Sequence, residues 1–136
     1  MSAWQNLINY IESNFRVADH VRSDNGDVIG LRLHFSVADD RKQVVFVFVQ
    51  TLMDGDEEWI EIESPIGRFG EISLADALEK TSNMVCGNLG KTGDHVTLVH
   101  SAPIENLDVN EFERPLRLIV TSADRLEREL TGADRY

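Results

Sequence analysis

The chain has 136 residues, 42% of them hydrophobic, and a single cysteine, which bounds it to one domain with room for a core and excludes an internal disulfide framework. With 24 acidic residues against 13 lysines and arginines the formal net charge is -11, and no basic cluster offsets it, so nucleic acid and anionic membranes are not expected partners. No apolar run is long enough to cross a bilayer, and Met1-Ser2-Ala3-Trp4-Gln5-Asn6 lacks a basic segment followed by an apolar one, so a cytoplasmic protein is expected.

Ser2 followed by Gln5 has the form of a capping box, and Trp4, Leu7, Ile8, Ile11 and Phe15 share one face, which predicts a helix from about Ala3 to Phe15. A weak strand is expected from Val17 to Ser23, and Asp24-Asn25-Gly26-Asp27 supplies residues that tolerate a left-handed turn. Val28 to Val37 alternates cleanly. Ile29, Leu31, Leu33, Phe35 and Val37 take a buried face, while Gly30, Arg32, His34 and Ser36 take a wet one. After a turn at Ala38 to Lys42, the strand from Gln43 to Met53 is apolar on both sides. Val44, Phe46, Phe48 and Leu52 are assigned to the core, which leaves Val45, Val47, Val49 and Met53 as a second apolar face that also requires cover.

Asp54-Gly55-Asp56 turns the chain into a strand from Glu57 to Ser64, where Ile60 and Ile62 alternate with Trp59, Glu61 and Glu63. Pro65 to Gly70 is expected to be a loop that ends it, and Ser73 with Asp76 caps a short helix through about Ser82. A hairpin from Val85 to Ser101 is expected to turn at Lys91-Thr92-Gly93-Asp94. Beyond Ala102-Pro103-Ile104, the residues Phe112, Leu116, Ile119, Ala123, Leu126 and Leu130 draw an apolar stripe along one long helix. Pro115 leaves two starts open: near Arg114, or from about Val109 with Asp108 and Glu111 as cap and partner. The whole predicts an α+β fold, an antiparallel sheet in the order α-ββββ-α-ββ-α with the terminal amphipathic helices packed on it.

Chemistry is sparse. His20, His34, His95 and His100 show no helical metal-ligand spacing, Cys86 reads as a small core residue, and Gly87, Gly90 and Gly93 read as bulge and turn residues rather than a phosphate loop. Asp54, Asp56, Glu57 and Glu58 lack the ordered pattern of a calcium loop and read as a solvated turn. No catalytic, cofactor-binding or metal-ligating residue is assigned.

The stretch Asn88-Leu89-Gly90-Lys91-Thr92-Gly93-Asp94-His95-Val96-Thr97-Leu98 resembles the second hairpin of the YbjN family, itself similar in fold to class I type III secretion chaperones. Ala102-Pro103-Ile104 before Leu107, Glu111-Phe112-Glu113 and Ala123-Asp124-Arg125-Leu126-Glu127 resemble that family's connection and closing helix. The first half agrees in element order. The resemblance implies a fold and a way of associating, that of small acidic dimers that hold polypeptides, and it carries over no catalytic residue.

The leading expectation is therefore a non-enzymatic, chaperone-like or regulatory protein-binding module, a homodimer that takes a polypeptide partner on apolar sheet or helix surfaces. Its candidate surface is Val45, Val47 and Val49, with Trp59 beside them in the neighbouring strand. Cover by the short helix from Leu74 and cover by a partner both remain open. The alternative is a small enzyme or metabolite-binding domain with a pocket between sheet and helices, gathering His34 or His100 with carboxylates.

Overall fold

In the computed structural model, which describes residues 2–131, one antiparallel sheet of six strands runs in the order β1-β2-β3-β4-β6-β5. The strands are β1 (Val17–Arg22), β2 (Val28–Ser36), β3 (Lys42–Leu52), β4 (Glu57–Arg68), β5 (Asn88–Thr92) and β6 (His95–Pro103). The helices are α1 (Ala3–Asn14), α2 (Leu74–Thr81) and α3 (Val109–Thr131), so the α+β class and the order α-ββββ-α-ββ-α are as the sequence predicts. No helix among the described residues is long and apolar enough to cross a membrane.

The core lies between one face of the sheet and the helices α1 and α3. Trp4, Ile8 and Ile11 of α1 and Phe112, Leu116, Ile119, Ala123 and Leu126 of α3 join Leu31, Leu33, Val45, Val47, Ile60, Ile62 and Leu98 from alternate strand positions in one buried cluster. Each valine, leucine, isoleucine or phenylalanine among them stabilises the fold by about 1.5–3 kcal/mol relative to exposure. The helix α2 packs on α3 and on the edge strand β5.

Local chemistry fixes the helix ends. The Gln5 amide donates to Ser2 Oγ at 3.1 Å, and the Trp4 indole N–H donates to the Val28 carbonyl at 2.8 Å, which ties α1 to the start of β2. In α3 the Glu111 amide donates to Asp108 Oδ1 at 2.8 Å and the Asp108 amide to Glu111 Oε1 at 3.2 Å. This reciprocal cap selects the earlier of the two starts and carries the helix through Pro115. A clasp closes the other side: the Arg41 guanidinium holds the buried Asp124 carboxylate through Nε at 3.1 Å and Nη2 at 3.0 Å.

Two expectations are corrected. Pro65 to Arg68 continue β4 instead of forming a loop, and a bulge between Pro65 and Gly67 accommodates a residue without an amide hydrogen. The phase of β3 is also inverted. Leu31 pairs with Val47 and Leu33 with Val45, so Val45 and Val47 share the covered face with the leucines. Val44, Phe46 and Phe48 therefore point to the opposite face, because side chains directly across an antiparallel pair lie on one side of the sheet.

Candidate functional site

Arg32, Phe46, Glu63 and Val99 stand side by side in one transverse row across β2, β3, β4 and β6, on the face away from α1 and α3. The next row brings Gly30, Phe48, Glu61 and Ser101 together in the same way. The Phe46 and Phe48 rings stack at 5.7 Å with planes 5° apart. Phe48 lies over Gly30, where a Cβ would stand 2.4 Å from its Cδ1, so only glycine leaves space for that ring.

The face is concave. The Thr92 hydroxyl of edge strand β5 donates to Glu63 Oε2 of β4 at 3.2 Å, reaching over the intervening strand β6. Strands are about 4.8 Å apart, so a bond between the first and third requires the edge to curl. Gly90 permits the curl, since a Cβ there would meet Val99 Cγ2 at 2.9 Å. The resulting cup has a volume of about 460 Å³, with Val44, Phe46, Phe48 and Pro65 as apolar walls and Arg32, Glu63, Thr92, His95 and Thr97 as polar ones. A second, open cavity of about 430 Å³ adjoins it across Glu63, Thr92 and Thr97 and extends to Glu61, Lys91 and Ser101.

Glu63 is the chemically unusual member. It is 4% exposed. Burial, together with the hydrogen bond and negative charge of Glu61, pushes its carboxyl up to about 7, against the lowering effect of the Thr92 hydroxyl. Glu61 in turn accepts from Gln50 Nε2 at 2.8 Å. Thr97 is 3% exposed, and its hydroxyl has no hydrogen-bond partner among the described residues. A buried hydroxyl left unpaired costs about 1–3 kcal/mol unless something enters to satisfy it. The cup is thus lined by aromatic and aliphatic carbon, with a buried carboxyl and an open hydroxyl on its walls.

The valine row does not form the candidate surface expected of it. Val45 and Val47 are fully buried in the core and Val49 is half-buried against it. They share that core with α1 and α3, and α3 packs across β3 and β4, whereas the short helix from Leu74 packs mainly on α3 and β5. Of the four residues named from the sequence, only Trp59 lies on the free face, opposite Gln50 and half-buried, with its indole N–H on Glu57 Oε1 at 2.9 Å. Phe46, Phe48, Glu63 and Thr97 are the members that sequence reasoning missed. The two-sided apolar character of β3 was the signal for Phe46 and Phe48, concealed by the assignment of the larger side chains to the core, whereas Glu63 and Thr97 lie on β4 and β6 and reach the cup only through the pairing of the strands.

The histidines disperse. His20 pairs with Glu12 at 2.8 Å on the surface, and His34 pairs in register with Val44. Its imidazole is held below the usual range by burial and by Arg32, Arg16 and Lys42. His100 Nδ1 lies 3.5 Å from Cys86 Sγ. Burial raises the thiol and lowers the imidazole, which favours a neutral pair over a thiolate nucleophile. His100 pairs in register with the core residue Ile62, so its imidazole lies on the helix-covered face, away from the Glu61 and Glu63 carboxyls. Among the described residues no group of three or more His, Cys, Asp or Glu is placed to hold a metal.

No protein-family model and no curated protein matches the chain.

Proposed function

We propose that the protein is a non-enzymatic, chaperone-like or regulatory binding module that holds a polypeptide segment against the free face of its sheet. The observation that carries this reading is the concave cup with the stacked rings of Phe46 and Phe48 on a face that neither α1 nor α3 covers. Apolar surface of this kind is costly in water, and its loss on binding is the main source of affinity for an extended or helical segment. The resemblance of the closing hairpin and helix to the YbjN family and to secretion chaperones points the same way, and a cytoplasmic homodimer belongs to the same proposal. The valine row lends that dimer no support, because it lies inside the chain's own core.

A test is to select short peptides displayed on phage against the folded protein and to map the best binder by NMR. Shifts at Phe46, Phe48 and Thr97 with none on the outer side of α3 are expected. Binders that perturb only the helical side would overturn the reading. A second reading, a metabolite-binding or enzymatic domain, draws on the open cavity that Glu61, Glu63, Lys91 and Ser101 line. Peptides that fail to bind, together with a small polar ligand that shifts Lys91 and Ser101, would favour it.

A further inference from the structure

We propose that the cup is keyed to a basic side chain, so that the segment held there presents a lysine or arginine between apolar residues, its cationic head on the Glu63 carboxylate with the Thr97 hydroxyl as second acceptor. This inference rests on the reading of the free face as a polypeptide-binding surface and names the chemistry of the partner.

Three independent features converge on it. Glu63 and Glu61 project two residues apart from β4 onto the same face, which sets two carboxyls at one side of a cavity whose apolar walls are Val44, Phe46, Phe48 and Pro65 and whose far wall holds Arg32. A carboxylate in such a setting attracts a cation more strongly than one in water does, because fewer solvent dipoles screen it. Thr97, nine-tenths buried and without a partner, offers an oxygen to the same cavity. An ammonium or guanidinium has hydrogens for both acceptors, whereas an acidic head would face repulsion from two carboxyls. The walls then suit the methylene stem, which lies along carbon while its head is satisfied at the polar end.

The charged and titratable groups that face Glu63 come from four strands. Glu61 lies on its own strand, Arg32 stands two strands away with Phe46 between, His95 lines the same cup from β6, and Lys91 lines the adjoining cavity from β5. The whole chain carries a net -11, which steers a basic segment towards it and an acidic one away.

Seating a cation requires Glu63 ionised. Because its carboxyl titrates at about 7 in the empty cup, affinity for the cation should fall about tenfold for each pH unit below that value and level off above it. The occupancy of the cup would thus be sensitive to pH across the neutral range.

The experiment uses two blocked synthetic peptides, acetyl-Val-Phe-Lys-Val-amide and its norleucine counterpart, titrated into the intact protein at pH 8 and followed by NMR at Thr97 and Gly90. The lysine peptide is expected to bind about tenfold tighter than the norleucine peptide. Glu63→Gln, which keeps the shape and the hydrogen-bonding capacity, should retain the norleucine affinity and lose the preference. Thr97→Val should reduce the preference by a smaller factor. Equal affinities in the wild-type protein would overturn this inference while leaving the docking surface in place. A preference that survives Glu63→Gln would overturn the role of Glu63. Binding of neither peptide would overturn the inference and the polypeptide-binding reading together, and melting temperatures no lower than wild type in both variants guard against loss of fold as the explanation.

Discussion

The two faces of the sheet solve different problems with similar residues. On the covered face, Leu31, Leu33, Val45, Val47, Ile60 and Ile62 present branched aliphatic side chains that are almost wholly excluded from water beneath α1 and α3. On the free face, Phe46, Phe48 and Trp59 are only half-buried, and charged or polar groups, Arg32, Glu63 and Thr97, are interleaved with them. Helices lying about 10 Å above a sheet require compact side chains that interdigitate, whereas an open face accommodates flat rings that shield one another. The comparison teaches that the size of a hydrophobic residue does not reveal which side of a strand is covered.

The largest effects should separate the faces outright. Val47→Lys places an unpaired ammonium in the core, and Leu126→Asp places an unpaired carboxylate on the buried stripe of α3. Each is expected to unfold the protein or to cost more than about 4 kcal/mol. Phe48→Ser on the free face and Arg125→Asp on the exposed side of α3 should fold, with melting temperatures within several degrees of wild type. Circular dichroism melts of the four variants decide the matter. A folded Val47→Lys would show that the phase of β3 is wrong.

That phase is also where the sequence ran out. Element order, the caps of α1 at Ser2 and of α2 at Ser73, the stripe of α3 and the alternation of β2 were all legible, because each depends on residues a few positions apart. The face of β3 depends on its register with β2, set by the length and geometry of the connection in which Ser36 comes to pair with Lys42. With apolar residues at every position from Val44 to Val49, the pattern itself could not distinguish one phase from a slip by a single residue. The continuation of β4 through Pro65 was hidden by a residue that usually ends a strand. The cup was illegible for a further reason: Thr92 and Glu63 lie far apart in the chain, and only the curl of the sheet brings them together.

A smaller effect tests how the covered face is held down. Asp124 is 4% exposed and is gripped by Arg41, with Arg128 one turn further along at 3.7 Å. The hydrogen bonds that Arg41 donates to Asp124 also hold its guanidinium above its ordinary range. Asp124→Ala leaves Arg41 half-buried without its main partner, so the melting temperature should fall by several degrees. Asp124→Asn should fall less, because it preserves one acceptor. No change in either variant would show that α3 is held by its apolar stripe alone.

On the free face, Gly30→Ala should act on the cup more than on the fold. The new Cβ meets the ring of Phe48 at 2.4 Å, and the Val47 carbonyl stands at 3.3 Å, so the ring must swing away from β2. A stability loss of about 1–3 kcal/mol is expected, together with altered NMR shifts for both stacked rings. Unchanged ring shifts would mean that Phe48 does not depend on the space above Gly30.

The smallest effect carries the most information about Glu63, because its sign is opposite to that of the other substitutions. The folded state raises the carboxyl from its ordinary value near 4.5 to about 7, so between those values the folded protein binds more protons than the unfolded chain. Stability therefore declines as pH rises through that window, and Glu63 contributes least above pH 7, where its charge must be held in the wall of the cup. Glu63→Gln removes that titration. At pH 8 the variant should be more stable than wild type by about 1 kcal/mol, a value well below the full shift because water reaches the open cup and screens the charge. Below pH 4.5, where the carboxyl is protonated in both states, the two should melt together. The comparison is made by recording melting temperatures of both proteins from about pH 4 to pH 8.5. Curves that stay parallel would show that Glu63 titrates alike in the folded and unfolded chain. A wild-type protein that gains stability over the variant as pH rises would mean that a cation already satisfies the carboxylate.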